Sequence, residues 1–271
     1  LVVRTKMAKI KTIDLFAGCG GLTEGFAQTG LYETQACVEW ESAQCQNLTK
    51  RLREKWAMLD ADQRVIRFDI QRTEELLNGF SDPEYGESVG LERLVSGNLD
   101  LVIGGPPCQA YSIAGRIRDE HGMKNDYRNY LFESYLRVVE HFKPKAFVFE
   151  NVPGLLSAKP DDIPIVELIQ KQFADAGYVI MSDLHNAIID VADYVAQKRK
   201  RVIILGLRSD VYGDTAEELI EKFYKQVLPA FKVASPKTLR DAIGNLPALY
   251  PTGCVTTIDG RKTAQPYFTF S

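Results

Sequence analysis

The chain has 271 residues, of which 45% are hydrophobic and 25% charged, with 33 Lys and Arg against 36 Asp and Glu and a formal net charge of −3. That length and apolar content support one large core, or one core plus the start of a second smaller domain, and exclude a disordered chain. The near balance of charge excludes a global pull toward a polyanion, so any nucleic-acid surface must be local.

Cysteines stand at 19, 37, 45, 108 and 254, an odd number with no Cys-x-x-Cys pair. They read as reduced thiols of an intracellular protein, with no metal site. The basic N-terminus, Leu1 to Lys11, lacks the apolar stretch of a signal peptide, and no later apolar run is long enough to span a bilayer. A soluble cytoplasmic protein with no membrane partner is expected.

Along the chain, short β-rich apolar runs alternate with amphipathic ones. The pattern predicts strands at Thr12–Phe16, Gln35–Glu39, Val65–Ile70, Leu99–Ile103, Ala146–Glu150, Tyr178–Met181 and Val202–Leu207. Helical patterns fall between them, as at Glu41–Trp56, Asn129–Phe142 and Pro164–Ala176. Such alternation predicts an α/β fold, a doubly wound and mostly parallel Rossmann-like sheet with ligands at the carboxyl ends of its strands. Ser81–Asn98 is polar and reads as a surface excursion. Asp214–Leu228 reads as one exposed helix. Pro229–Ser271, rich in Pro, Thr and Gly, reads as a linker into another domain. The expected division is 1–228 for ligand binding and catalysis, and 229–271 for the linker and the incomplete start of a second smaller domain.

Asp14-Leu15-Phe16-Ala17-Gly18-Cys19-Gly20-Gly21 ends the first strand and opens a helix, where a nucleotide-like cofactor meets backbone N–H groups. A tight turn without a ligand is the other reading of such a glycine cluster. A nicotinamide dinucleotide calls for a further glycine at position 23, where this chain has Thr, and has no use for an acid at Asp14. S-adenosylmethionine suits Asp14 better, because its methionine end carries an ammonium and a sulfonium. Glu39 supports ribose hydroxyls without choosing between these cofactors. Asp69-Ile70 reads as an adenine contact, with a helix cap as the alternative for Asp69.

Asp100 to Ser112, DLVIGGPPCQAYS, runs from the fourth strand into a loop that delivers Cys108 to the ligand edge. Two prolines fix the backbone before the thiol and two glycines permit close approach, which favours an aimed nucleophile over an inert packing cysteine. Glu150-Asn151-Val152 follows the fifth strand, so its carboxyl is expected near Cys108. Gln197-Lys198-Arg199-Lys200-Arg201 concentrates positive charge before the last strand, either as a solvated face or as a site for a phosphate or a pyrimidine oxygen.

Taken in order, these segments resemble the DNA (cytosine-5) methyltransferase family. The matches are the Asp-Leu-Phe-Ala-Gly-Cys-Gly-Gly turn, Glu39, Asp69-Ile70, Gly-Gly-Pro-Pro-Cys-Gln, Asn129 with Leu131-Phe132, Glu-Asn-Val and Gln-Lys-Arg-Lys-Arg. The resemblance spans residues 10 to 208. It implies that Phe16, Gly18, Glu39, Trp40, Asp69, Ile70 and Leu131 contact S-adenosylmethionine, and Asp14, Gly20, Gly21 and Pro107 complete the expected cofactor set. Cys108 is implied as nucleophile, with Glu150, Arg199 and Arg201 around a flipped cytosine. Gln109, Ser112, Arg116, Arg118 and Lys198 are the candidate DNA contacts, most of them in a loop expected to close over the duplex. One departure is Ala196, where the family usually has Pro.

The chemistry explains these residue types. Carbon 5 of cytosine is too weak a nucleophile to attack a sulfonium until a thiolate adds at carbon 6, and the base must leave the stack for that addition. Expected products are 5-methylcytosine in double-stranded DNA and S-adenosylhomocysteine, in a bacterial restriction–modification setting. Rival readings are an RNA (tRNA) cytosine-5 methyltransferase and a silent DNA-binding or regulatory subunit. The family's closing motifs are not found, so target choice is expected to come from a missing C-terminal segment or a second chain. As written, the chain is expected to bind DNA weakly and without sequence choice.

Overall fold

In a computed structural model the described residues are 8–107, 131–158, 164–246, 249–251, 255–258, 261–264 and 268–270. The first half contains β1 (Ile10–Leu15), α1 (Gly21–Gln28), β2 (Tyr32–Glu39), α2 (Ser42–Trp56), β3 (Val65–Arg67), α3 (Thr73–Asn78), β4 (Phe80–Asp82) and β5 (Gly86–Ser88). Then come β6 (Leu101–Gly104), α4 (Leu131–Phe142), β7 (Ala146–Asn151), α5 (Ile165–Asp175), β8 (Tyr178–Val179), β9 (Ile188–Asp190), β10 (Lys200–Arg208) and α6 (Ala216–Lys222).

The main sheet has the order β3-β2-β1-β6-β7-β10-β8, with β9 beside β10. Strands β3, β2, β1, β6 and β7 are parallel, and β10 is antiparallel to both β7 and β8. The chain winds outward from β1 to β3, then returns to place β6 on the other side of β1. This reversal makes the crevice beyond the carboxyl ends of β1 and β6 the natural ligand site of the fold.

Buried strand residues explain why these runs are so uniformly apolar. Ile13, Leu15, Val102, Phe147, Phe149 and Ile204 are all at most 1% exposed, as expected for strands covered on both faces. One face of α4 supplies Leu131, Phe132, Tyr135, Val138 and Val139 to this core. Phe173 of α5 stacks on Phe147 of β7 at 4.1 Å between ring centroids. No helix among the described residues is long and apolar enough to cross a membrane.

Two expected segments differ. The stretch 81–98 is more than a surface excursion: β4 and β5 form an antiparallel hairpin, and Leu91 and Val95 enter the core. The helix expected as exposed over 214–228 buries Ala216 and Ile220, and the Tyr224 hydroxyl donates to Ile203 O and accepts from Leu205 N. Its apolar positions, Ala216, Leu219, Ile220, Phe223, Tyr224, Val227 and Leu228, recur at helical spacing and form a stripe that turns Ala216, Ile220 and Tyr224 inward, with a π-helical turn at Phe223–Val227.

Two compact units emerge, one from Leu1–Ile189 with Lys200–Ala230 and one from Asp190–Arg199 with Phe231–Ser271. In the second, Asp193 pairs with Lys232 at 2.6 Å and accepts from Val233 N. Thr238 and Asp241 form a reciprocal capping box on a short helix, Leu239–Ile243. Backbone strands β11 (Leu249–Pro251) and β14 (Phe268–Phe270) pair, as do β12 (Val255–Ile258) and β13 (Arg261–Ala264).

Candidate functional site

The turn after β1 requires three left-handed residues: Phe16 and Gly18 at φ 58° and Gly20 at φ 84°. Glycine adopts this conformation freely, but for Phe16 it costs roughly 1–2 kcal/mol. Strain of this kind gathers at ligand sites, and here Phe16 sits on a cavity wall. Gly20 N-caps α1, where a β-carbon would come within 2.4 Å of Leu48 Cδ1.

Glu39 ends β2 facing the turn. Its Oε2 accepts from Gly18 N at 2.8 Å and its Oε1 from Glu41 N at 2.7 Å. Each oxygen keeps a lone pair for a hydroxyl donor. A cavity of about 430 Å³ opens here, lined by Phe16, Gly18, Val38, Glu39, Trp40, Glu41, Gln44, Phe68, Ile70, Gly105, Pro107 and Leu131. The volume falls within the range of roughly 300–1,000 Å³ typical of small-molecule sites. Aromatic and aliphatic walls around one anchored carboxylate fit a nucleoside, whose base is flat and apolar and whose ribose donates hydrogen bonds.

Seven of the expected cofactor residues therefore meet on one wall system: Phe16, Gly18, Glu39, Trp40, Ile70, Pro107 and Leu131. Four do not. Asp14 points into the core at 1% exposure, where its Oδ2 accepts from Thr23 N and Thr23 Oγ1. It holds the first turn of α1 rather than facing the cavity. Gly20 and Gly21 shape the turn and helix start without lining the space. Asp69 Oδ1 accepts from Gln71 N at 3.0 Å, so it stabilises the turn before α3. Sequence reading missed Val38, Glu41, Gln44, Phe68 and Gly105. Glu41 and Gln44 open α2 at the carboxyl edge, a position that could have flagged them.

At the end of β6, Gly104 and Gly105 admit neighbours that side chains would exclude. A β-carbon on Gly104 would lie 2.6 Å from Leu15 O, and one on Gly105 2.8 Å from Glu150 Oε2. Glu150 thus abuts the cavity through Gly105. Opposite Glu150 in the β7–β10 register stands Ile203, which puts Arg201, two residues earlier, on the same face as a diagonal neighbour. Arg201 Nε lies 2.6 Å from Glu150 Oε1, both side chains about one fifth to one quarter exposed at 19% and 24%. Asn151, 5% exposed, donates from Nδ2 to Pro106 O at 3.3 Å and accepts from Val152 N. It ties the Pro-Pro segment to the strand that carries Glu150.

Cys108, Gln109, Ser112, Arg116 and Arg118 lie outside the described residues. Lys198 and Arg199 group with the second unit, whereas Glu150 and Arg201 belong to the first. Cys19 is exposed, and Cys37 and Cys45 are buried free thiols.

The model of the C-5 cytosine-specific DNA methylase family matches residues 10–259 of this sequence. The chain belongs to that family. Similar relatives of this chain include the type II methyltransferase M.Bpa9945I of Bacillus paralicheniformis, 35% identical over 282 residues covering 88% of this chain and 61% of the relative. M.DdeI of Desulfomicrobium norvegicum, also a type II methyltransferase, is 34% identical over 245 residues, 88% of this chain and 48% of the relative. The chain thus spans about half to three fifths of the length of these relatives. Among solved structures, a DNA modification methyltransferase described as encoded within an E. coli prophage superposes with a TM-score of 0.61 at 23% identity, over 92% of this chain and 59% of the other. S. pombe Dnmt2 methyltransferase superposes with a TM-score of 0.55 at 16% identity, over 86% and 59%. Both likenesses establish the Rossmann-like methyltransferase fold.

Proposed function

We propose that this chain supplies the cofactor-binding and catalytic parts of an enzyme that methylates carbon 5 of cytosine in double-stranded DNA. The observation that carries this reading is the Glu150–Arg201 pair, held against the cavity at Gly105. The names of the type II relatives support a restriction–modification role, and with it a bacterial cytoplasmic setting. Residues 229–271 are assigned to the approach to target recognition.

S-adenosylmethionine is the cofactor that best fits the cavity. Glu39 would hold the ribose hydroxyls, Phe16, Trp40, Phe68 and Ile70 would enclose the base, and the Gly18 turn would face the methionine end. Bound there, it supplies an electrophilic methyl carbon. Cys108 follows Pro107 on the cavity wall and is the nucleophile: its thiolate adds to carbon 6 of an extruded cytosine, making carbon 5 enamine-like. Glu150 hydrogen-bonds the pyrimidine N3 and 4-amino group, offsetting the charge that develops as sulfur adds. Arg201 forms an ion pair with the Glu150 carboxyl at Oε1, while Oε2 lies beside Gly105 of the cavity wall. Once carbon 5 carries the transferred methyl group, loss of its proton and elimination of the Cys108 thiolate from carbon 6 restore the aromatic ring.

Trapping on a duplex containing 5-fluorocytosine tests this reading, because carbon 5 cannot then lose its substituent and the adduct persists. A covalent DNA adduct mapped to Cys108, absent in Cys108→Ser and absent with tRNA, is expected. An adduct at another residue, or preference for tRNA, refutes it.

A further inference from the structure

Strands β4 and β5 pair with each other and, among the described residues, with no other strand, Phe80 opposite Ser88 and Asp82 opposite Gly86. No hairpin residue lines the cavity, yet its side chains pack on Phe68, which does, and Arg67 links it to Trp40, which does too. Phe68 is 1% exposed, and Phe80 stacks on its ring at 3.9 Å with an interplanar angle of 17°. Tyr85 meets the same ring edge-on at 5.2 Å. The Arg72 guanidinium lies 4.7 Å from the Phe68 centroid and is itself held by Glu75 and by Asp82 of the hairpin at 2.7 Å. A second tie runs to Trp40: Arg67 donates to Trp40 O at 3.3 Å and to Glu84 O at 2.7 Å, its guanidinium 5.2 Å from the Tyr85 ring.

We propose that the Phe80–Ser88 hairpin is a positioning element for the cofactor, holding Phe68 and the Trp40 backbone as a preformed wall for the base without touching the ligand. The inference rests on the reading of the cavity as the S-adenosylmethionine site. A ring already locked between Phe80, Tyr85 and Arg72 loses no rotational freedom when a base packs against it, whereas an unbraced ring must be ordered on binding. The hairpin's aromatic and cationic contacts therefore act on affinity by preorganisation.

Calorimetric titration with S-adenosylhomocysteine tests it in the full chain. Phe80→Ala is expected to weaken binding about 3- to 10-fold, the equivalent of one unlocked side chain, while Phe80→Tyr, which restores the stacked ring, binds within about twofold of wild type. Tyr224→Phe serves as a control, since it removes core hydrogen bonds to β10 at residues that do not line the cavity and is expected to leave affinity unchanged. If Phe80→Ala does not fold, Phe80→Leu keeps the bulk without the ring and takes its place. Wild-type affinity in the ring-less variant overturns the proposal, as does equal weakening by Tyr224→Phe or by Phe80→Tyr. Absence of binding by the wild-type chain overturns the cavity reading itself, and the proposal with it.

Discussion

Asp14 carries an unusual burden for one residue. Its Oδ2 accepts hydrogen bonds from Thr23, but its Oδ1 is buried with no hydrogen-bond partner among the described residues. Burial pushes its carboxyl up from 3.8 to about 7, against the opposing pull of the Thr23 bonds, and nearby Glu39 adds to the rise. Below pH 4 the group is protonated whether folded or unfolded and makes no difference. Between about pH 4 and 7 the unfolded chain releases the proton while the folded chain retains it, so stability falls as pH rises. The full loss is on the order of 4 kcal/mol, from about three units at roughly 1.36 kcal/mol each. Asp14→Asn should flatten this dependence, and urea midpoints at pH 4.5, 6 and 8 check it; an unchanged slope refutes the assignment. The inward aim of Asp14 was not legible in the sequence. Thr12, Ile13, Asp14 and Leu15 are all buried, so two-residue alternation gives no sign of which face a side chain takes. Asn151 went unassigned for a related reason, since its partner is a backbone carbonyl, which every residue has. Removing its donor by Asn151→Asp, or the side chain by Asn151→Ala, leaves Pro106 O unsatisfied at about 1–3 kcal/mol. Both variants should form the fluorocytosine adduct at least about tenfold more slowly, with S-adenosylhomocysteine affinity retained. Normal trapping by Asn151→Asp would remove Asn151 from the positioning of the loop.

At the scale of elements, the parallel strands were legible because burial on both faces writes continuous apolar runs, and α4 because its stripe repeats at helical spacing. The hairpin was not. Its strands have three residues each, too short for a period to register, and its contacts are made by Phe80, Tyr85, Arg67 and Arg72, whose partners are distant or local in no fixed pattern. Phe68 was hidden likewise, since it follows the last residue of β3 and reads as ordinary core. Element packing also makes one glycine indispensable. Gly206 of β10 faces Phe147 of β7 in the antiparallel register, and a β-carbon there would lie 2.0 Å from the Phe147 ring. That ring is stacked on Phe173 and edge-on to Tyr178, leaving it little room to yield. Gly206→Ala should therefore cost at least the 1–3 kcal/mol typical of overpacking, lowering the urea midpoint at constant slope. A change within about 0.5 kcal/mol, the range of an indifferent surface substitution, would show that the core relaxes around it.

At the scale of the molecule, family membership was legible because several short motifs occur in one order, even though no single turn or strand end decides it. The grouping of Asp190–Arg199 with Phe231–Ser271 was not, because proximity between segments so far apart in sequence leaves no local mark. That grouping has a thermodynamic consequence. Every described residue lining the cavity belongs to the first unit, so a ligand held by those residues stabilises that unit. A ligand at one hundred times its dissociation constant adds about 2.7 kcal/mol, which for a unit of this size corresponds to roughly 5–10 °C in melting temperature. S-adenosylhomocysteine should therefore raise one calorimetric transition, and NAD at the same concentration should raise none. Hydrogen exchange should slow across the β1–α1 turn, Val38–Gln44 and Phe68–Ile70, with Asp190–Arg199 and Phe231–Leu246 unaffected. Uniform protection of both units would mean that they unfold as one cooperative body, and a shift with NAD alone would move the cavity to a different cofactor class.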